Sequence, residues 1–362
     1  MAEGRFMDES PWRCPRCRGA LDLGADRGTC RSCGARFRAL RGILDLRTRD
    51  DLYLSNEEDW AFALRLDEDY ERQDFLGLLN RYFALAAAVS PEQKERQIRH
   101  ILTAPGRVGH WLDALGTAGD GAVLDLGCGS GSFLSSVGRR VSGPCGVDIA
   151  MRWLLVARKR LDEEGLGHIP LSCACAEDLP LADSTLAGVV AGDVIEHVAS
   201  QEETLSEVFR VLRPGGRLFM ATPNRFSLGS EPHVGVWGVG FLPRRWMTSY
   251  VRRANGADFR AIHTLGKRDW TQQLRCSPFG GARIVAPPLP DDDLVHFGRI
   301  KRRLGQLYNG AVGTRAGRWF ALRFGPLFHI VAEKPPDVDQ ATGSRPSIPA
   351  IPPRSTRSEA RS

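Results

Sequence analysis

The chain has no run approaching the roughly 18 uninterrupted apolar residues that a bilayer span requires. Its opening stretch, MAEGRFMDES, has no apolar core of the kind a secretory leader carries, and no internal repeat divides its 362 residues. These absences point to a globular protein of the cytoplasm with no transmembrane segment. A reducing cytoplasm disfavours disulfides, so paired residues among the 9 cysteines are read as metal ligands or ordinary core residues. A strong charge imbalance is also missing. The formal net charge of +6 permits anionic partners without requiring them. At 42% hydrophobic, the chain can bury at least one full core, and one large catalytic domain plus a smaller unit is the starting expectation.

What is present begins with the cysteines. CPRC at Cys14 and Cys17, then CRSC at Cys30 and Cys33, give the spacing C-x2-C-x12-C-x2-C. Each pair turns two thiolates toward one ion, and two pairs supply the closed tetrahedral shell of a structural Zn2+. A ribbon over 11–47 follows, ending in a short apolar strand at Gly42 to Leu46. Arginines crowd it: Arg13, Arg16, Arg18, Arg27, Arg31, Arg36, Arg38 and Arg41, against Asp22 and Asp26. A second basic cluster, Arg299, Lys301, Arg302 and Arg303, lies late in the chain. Charge runs of this kind ordinarily form solvated faces.

From 51 to 120 the pattern is helical, with Phe75, Leu78, Leu79, Tyr82 and Phe83 on one stripe. Ser90 and Pro91 read as an N-cap and first helical residue. Between Gly121 and Thr222 the apolar runs AVLDL, CGVDI, PLSCA, AGVVAGD and RLFMAT alternate with helical stretches, the signature of a parallel sheet flanked by helices. The best-defined helix is Gln201 to Leu212, with Ser200 and Glu203 as a capping box and Leu205, Val208, Phe209 and Leu212 as its buried stripe. GARIVA and LFHIVA supply two further strands. A Pro-, Ser- and Arg-rich tail over 335–362 is expected to be disordered.

VLDLGCGSG, Val123 to Gly131, runs a buried strand into alternating glycines. Such a loop brings backbone N–H groups at a helix N-terminus close to a ligand. A dinucleotide fingerprint would place its third glycine at Ser132, so that reading fails. GVDIA then sets Asp148 at the end of the next strand, where a carboxylate can accept both hydroxyls of a ribose.

In that order VLDLGCGSG, GVDIA, AEDLPLADSTLAGVV, DVIEHV and VLRPGGRLFMATPN resemble the class I S-adenosylmethionine-dependent methyltransferases. The resemblance spans about Gly121 to Asn224. It implies an α/β Rossmann-like, seven-stranded sheet within a catalytic domain over 121–334. Asp125, Leu126, Gly127, Cys128, Gly129 and Gly131 would hold the methionine part of the cofactor. Asp148 would serve the ribose and Cys175, Ala176 and Glu177 the adenine edge, with Ile149 and Asp193 as further cofactor-binding candidates. Cys175 stands where the family usually has an acid, and Leu186 and Ala187 where it usually has FD. The N-terminal ribbon in turn resembles the Trm112-like zinc domain, whose members work beside methyltransferases as partners or fusions.

Transfer from a sulfonium requires an aligned nucleophile, and an alcohol or phenol must also lose a proton. DVIEHV puts Asp193, Glu196 and His197 at the ligand-binding edge of the sheet. The segment is similar to the E-x-x-E-H of ubiquinone-pathway O-methyltransferases, whose acids suit a hard cation such as Mg2+; the plainer reading is that Glu196 and His197 cap the loop. His197 is the candidate proton acceptor. The segment 223–290 follows the fifth strand and is the expected substrate cover, with Asn224, Trp237, Phe241, Arg244, Arg245 and Trp246 as acceptor-site candidates and His233 joining Asp193, Glu196 and His197 as a catalytic candidate.

Three functions compete at this point: methylation of a small-molecule or lipid-like acceptor at oxygen, RNA base methylation served by the basic ribbon, and a non-catalytic scaffold or activator of another enzyme. The ribbon also resembles that of a ribosomal guanine-N1 methyltransferase group, yet it offers only Trp12 and Phe37 for stacking on splayed bases. No protein partner is evident.

Overall fold

The computed structural model describes residues 10–24, 26–86, 91–116, 121–290, 294 and 298–336. Most of the tail expected over 335–362, and the Ser90 cap, lie outside the described residues.

The N-terminal segment forms β1 (Leu21–Leu23), β2 (Arg27–Cys30), β3 (Arg36–Leu40) and β4 (Ile43–Asp45). Four helices follow: α1 (Asn56–Asp67), α2 (Phe75–Leu85), α3 (Pro91–Val108) and α4 (Trp111–Leu115). Each of the first two starts at a side-chain cap. Ser55 and Glu58 form a capping box on α1, and Asp74 accepts from Gly77 N on α2. The stripe read from the sequence is the buried face of α2, with Leu78, Leu79, Tyr82 and Phe83 inside.

The alternating unit runs β5 (Ala122–Leu126), α5 (Ser132–Val137), β6 (Gly143–Asp148), α6 (Met151–Glu163), β7 (Leu171–Cys173), β8 (Leu186–Gly192), α7 (Gln201–Val211) and β9 (Leu212–Pro223). Beyond it come a 3-10 turn at Val239–Phe241, α8 (Arg244–Asn255), α9 (Lys267–Cys276), β10 (Arg283–Val285), α10 (Arg299–Val312), α11 (Arg315–Phe324) and β11 (Leu327–Glu333). All five residues of β5 are buried, as a central strand covered on both faces requires.

One sheet takes in every strand, in the order β1-β2-β3-β4-β7-β6-β5-β8-β9-β11-β10. It therefore has eleven strands rather than the seven implied by resemblance. The addition occurs at one edge: Leu44 and Asp45 of β4 pair in parallel with Ser172 and Cys173 of β7, which carries the ribbon hairpins into the sheet. The capping box expected on α7 also forms differently. Ser200 Oγ accepts from Glu203 N, but the Ser200 N–H goes to Glu177 Oε1, whose buried carboxylate reaches the helix end first.

The ribbon is bound to the rest by charge as well as by strands. Arg18 donates to Asp178 and to the Leu179 carbonyl, Arg38 to Asp45 and Glu57, and Arg41 to Asp67 and Glu71. Half of the crowded arginines, counting Arg31 on Asp22, thus hold intramolecular acids, leaving less charge free for phosphates. Deeper still, the Arg47 side chain is fully buried between Asp45 and Asp59, and Asp59 also takes Arg152 at 2.5 Å and the Met151 N–H at 2.8 Å. That hub ties the end of the ribbon, α1 and the start of α6 together.

Candidate active site

Chain order sets the position of the crevice. From β5 the chain steps outward to β6 and β7, then returns past β5 to β8 and β9, so connections diverge between β5 and β8. Ligands of open α/β sheets bind at such a switch point, outside the carboxyl ends of the strands. A cavity of about 310 Å³ lies there. Leu126, Gly127, Gly129, Asp148, Ile149, Ala176, Glu177, Asp193 and His197 line it.

The glycines act through space rather than through free donors. Gly127 has φ +70°, and a Cβ there would lie 2.4 Å from Val194 Cγ2; at Gly131, φ +73°, it would press on Ala157. The expectation that the loop offers free N–H groups needs correction for most of it. Gly127 N and Cys128 N both donate to the Val147 carbonyl, Gly131 N to that of Cys128, and Gly129 N to Asp148 Oδ2 at 2.8 Å. Asp148 Oδ1 accepts from Ala150 N. Each carboxylate oxygen keeps a further lone pair for a hydroxyl donor. Burial pushes the Asp148 carboxyl up to about 6.

Asp125 lies beneath the loop, buried, with Oδ2 lacking any hydrogen-bond partner. Burial, reinforced by the neighbouring Asp148 charge, raises it to about 8. An acid held this far above its unfolded value favours folding fully below pH about 4, and that contribution is lost as the pH climbs through about 8. Replacing it with asparagine should therefore flatten the fall of melting temperature over that window. Parallel melting curves for the two proteins from pH 5 to 8 would contradict this.

At the other end of the cavity the fourth-strand loop meets the cover segment. Tyr53 Oη lies 2.7 Å from His197 Nδ1, His197 Nε2 lies 3.0 Å from His233 Nε2, and His233 Nδ1 lies 2.6 Å from Glu231 Oε1. Glu196 sits under this row, fully buried, with Oε2 accepting from Thr222 and Oε1 3.7 Å from His233. Burial lowers His197 to about 4, aided by His233 and His263. Burial would also lower His233, but Glu231, Glu196 and Asp193 reverse it and hold the imidazole above its usual value. Glu196 is pushed up to about 8 by burial and by Asp193, which makes it a neutral acid near pH 7. The row is a continuous hydrogen-bonded path from the cavity to a carboxylate.

Three of these groups, Glu196, His197 and His233, lie close enough to share an ion, whereas Asp193 stands outside that set. Two imidazoles and one carboxylate are a poor match for Mg2+, which prefers oxygen ligands. The sequence-based expectation of a hard cation therefore does not fit this donor set, and no step is drawn through it.

Several other candidates do not reach the cavity. Asp125, Cys128, Gly131 and Cys175 are not among the residues that line it, Cys175 with Sγ toward the Arg49 carbonyl. Glu177 borders the cavity, but its Oε1 is occupied by the N–H groups of Ala199 and Ser200. Asn224 is buried and bonds the carbonyls of Arg323 and Gly325. Trp237 and Trp246 are exposed, Phe241 packs on Phe226, and Arg244 and Arg245 line no part of the crevice. Conversely, the wall includes Arg49, Asp50, Asp51, Leu52 and Tyr53, with Arg152 and Trp153 beyond. Sequence reasoning assigned 51–120 to a helical cover; the one available signal was RTRDDLY, a charged and aromatic run with no helical stripe between two units.

The four ribbon thiols cluster as paired knuckles. Cys14 Sγ is 3.7 Å from Cys33 Sγ, Cys17 Sγ is 3.4 Å from Cys30 Sγ, and all four lie within 4.8 Å of one another. Arg18 and Gly34, directly after each second cysteine, both have positive φ.

Taken together, a doubly wound sheet with a glycine loop and an acid at its switch point defines a Rossmann-like nucleoside-binding α/β protein. A family model described as a methyltransferase domain matches residues 124–220. The demethylmenaquinone methyltransferase of Symbiobacterium thermophilum is 34% identical over 181 residues, covering 49% of this chain and 68% of that protein. A ubiquinone biosynthesis O-methyltransferase of Parvibaculum lavamentivorans is 34% identical over 127 residues, 33% of this chain and 48% of its own. A solved geranyl diphosphate C-methyltransferase of Streptomyces coelicolor aligns with 63% of this chain and 78% of its own at 20% identity and TM-score 0.42. This chain belongs to the S-adenosylmethionine-dependent methyltransferases. The first curated relatives it matches are covered over 34% and 54% of their own length.

Proposed function

We propose that the protein transfers a methyl group from S-adenosylmethionine to oxygen on a small-molecule or lipid-like acceptor. The observation that carries this reading is the row Tyr53, His197, His233 and Glu231, which leads from the cavity to a carboxylate. Bound S-adenosylmethionine would supply an electrophilic methyl on a sulfonium. Asp125, buried with an unpartnered oxygen, suits the cofactor's ammonium, and Asp148 suits its ribose hydroxyls. The cavity walls would hold the acceptor hydroxyl in line. Tyr53, whose phenol burial pushes up to about 12, stays protonated and passes a proton to His197 as it takes one from the acceptor. His197 hands its own on to His233, beside Glu231.

One of the named relatives, the ubiquinone biosynthesis O-methyltransferase, supports an oxygen acceptor. Incubating the protein and deuteromethyl-labelled cofactor with a lipid and metabolite extract should label an acceptor at oxygen. Label confined to an RNA pool, or no label at all with cofactor bound, would overturn the assignment.

The ribbon is proposed as a Trm112-like Zn2+ site of Cys14, Cys17, Cys30 and Cys33. A tetrahedral ion with Zn–S near 2.3 Å separates sulfurs by about 3.8 Å, close to the spacing of the paired thiols. Serine at Cys14 and Cys17 should abolish bound zinc in emission spectroscopy and lower the melting temperature; a metal-free wild type with an unchanged melt would count against it.

A further inference from the structure

Helices α10 and α11, of 14 and 10 residues, between them bury only Gly305 and Ala321. Their large apolar side chains face outward instead. Ile300 is 78% exposed, Leu304 61%, Leu307 70% and Trp319 61%, with Phe320 also exposed. At 3.6 residues per turn, Ile300, Leu304 and Leu307 form one stripe. The opposite side of α10 meets the body: Gly305 backs onto Leu294, and Arg302 Nε donates to the Leu294 carbonyl. Tyr308 and Asn309 anchor the helix to Pro287 and Leu289. The orientation is thus fixed by polar and small residues, leaving the stripe without a partner among the described residues.

Charge surrounds the stripe. Residues 298–325 contain Arg299, Lys301, Arg302, Arg303, Arg315, Arg318 and Arg323 and not one Asp or Glu. Lys301 and Arg303 flank the apolar row about a quarter turn to either side. On α11 the Arg323 guanidinium lies 5.3 Å over the Trp319 ring. The patch continues toward the active-site edge of the sheet. Leu228 N donates to the Phe324 carbonyl, Trp237 Nε1 donates to that of Leu228, and both Leu228 and Trp237 are exposed.

We propose that this face docks the protein on an anionic lipid surface, with α10 and α11 lying in the headgroup plane, Ile300, Leu304, Leu307, Trp319 and Phe320 inserted and the flanking cations on lipid phosphates. Outward apolar residues rimmed by Lys and Arg are the composition of interfacial helices. Charge selects lipid over other occupants. A second copy would set seven cations against seven, and the chain's own 337–362 carries four arginines against three acids, so neither offers complementary charge. The docking goes beyond the methyl-transfer reading and does not depend on it.

The experiment is co-sedimentation of the full-length protein with phosphatidylcholine vesicles, with and without phosphatidylglycerol, at low and high salt. Binding is expected to the anionic vesicles and to weaken with salt. The triple variant Ile300→Ser, Leu304→Ser, Leu307→Ser should lower the partition coefficient about 100-fold, while Lys301→Gln with Arg303→Gln should reduce it and its salt dependence. Because these side chains are exposed, the melts should match wild type, which separates lost docking from lost folding. The proposal falls if wild type ignores anionic vesicles at low salt or if the triple variant binds equally well. It falls equally if the triple variant converts a wild-type dimer to monomer in ultracentrifugation with no vesicle binding by either.

Discussion

Glutamine in place of His197 should lower kcat by about 100- to 10,000-fold, the range general acid–base catalysis contributes, while cofactor affinity changes far less. The imidazole is the only member of the row that touches both the phenol at the cavity wall and the second imidazole, at 2.7 and 3.0 Å. Its depressed value of about 4 keeps it neutral, and so able to take a proton, throughout the physiological range. Glutamine can hold one hydrogen bond in that place, but it cannot relay a proton. Phenylalanine at Tyr53 removes the terminal hydroxyl and leaves His197 facing the cavity, so its effect should be smaller. Turnover by the His197 variant within a few-fold of wild type, with saturating cofactor, would remove the row from the chemistry.

The largest stability effect should come from Asp59→Ala. Exposed pairs such as Arg31 with Asp22 are worth little, about 0–1 kcal/mol. Asp59 differs because it is fully buried and satisfies Arg47, Arg152 and the Met151 N–H together. Removing one partner of a buried ion pair costs about 3–5 kcal/mol, since the remaining charges cannot regain water. Met151 opens α6, whose preceding residues Ile149 and Ala150 border the cavity, so cofactor affinity should fall along with the melting temperature. Chemical denaturation of the two proteins reads the first effect and calorimetric titration the second. A change below 1 kcal/mol would mean that water reaches the hub.

Residues were legible in the sequence where function depends on short-range pattern. Gly127, Gly129 and Asp148 follow from one strand, one loop and the next strand, and Leu126 through His197 fall at the edge that alternating strands and helices define. What escaped depends on contacts distant in the chain. Tyr53 reaches the cavity only because β4 pairs with β7, some 128 residues later, a register no local periodicity encodes. Glu177 and Asn224 had the right residue types near the right motifs, but their polar atoms are committed to backbone groups. Trp237 and Trp246 illustrate the same limit from the other side: aromatic composition suggested an acceptor cover, while their exposure is decided by how α8 and the turn before it pack.

The pairing of β4 with β7 also bears on how the protein would fail. A bare edge strand with its amides unpaired is a template for other chains, and all three residues of β7 are buried. With the thiol cluster intact, β4 covers β7 and that side of the sheet ends instead at β1, where Asp22 and Leu23 are exposed. Loss of order at the cysteines would uncover that template, so the first symptom in a cell should be insoluble deposits rather than a soluble but idle catalyst.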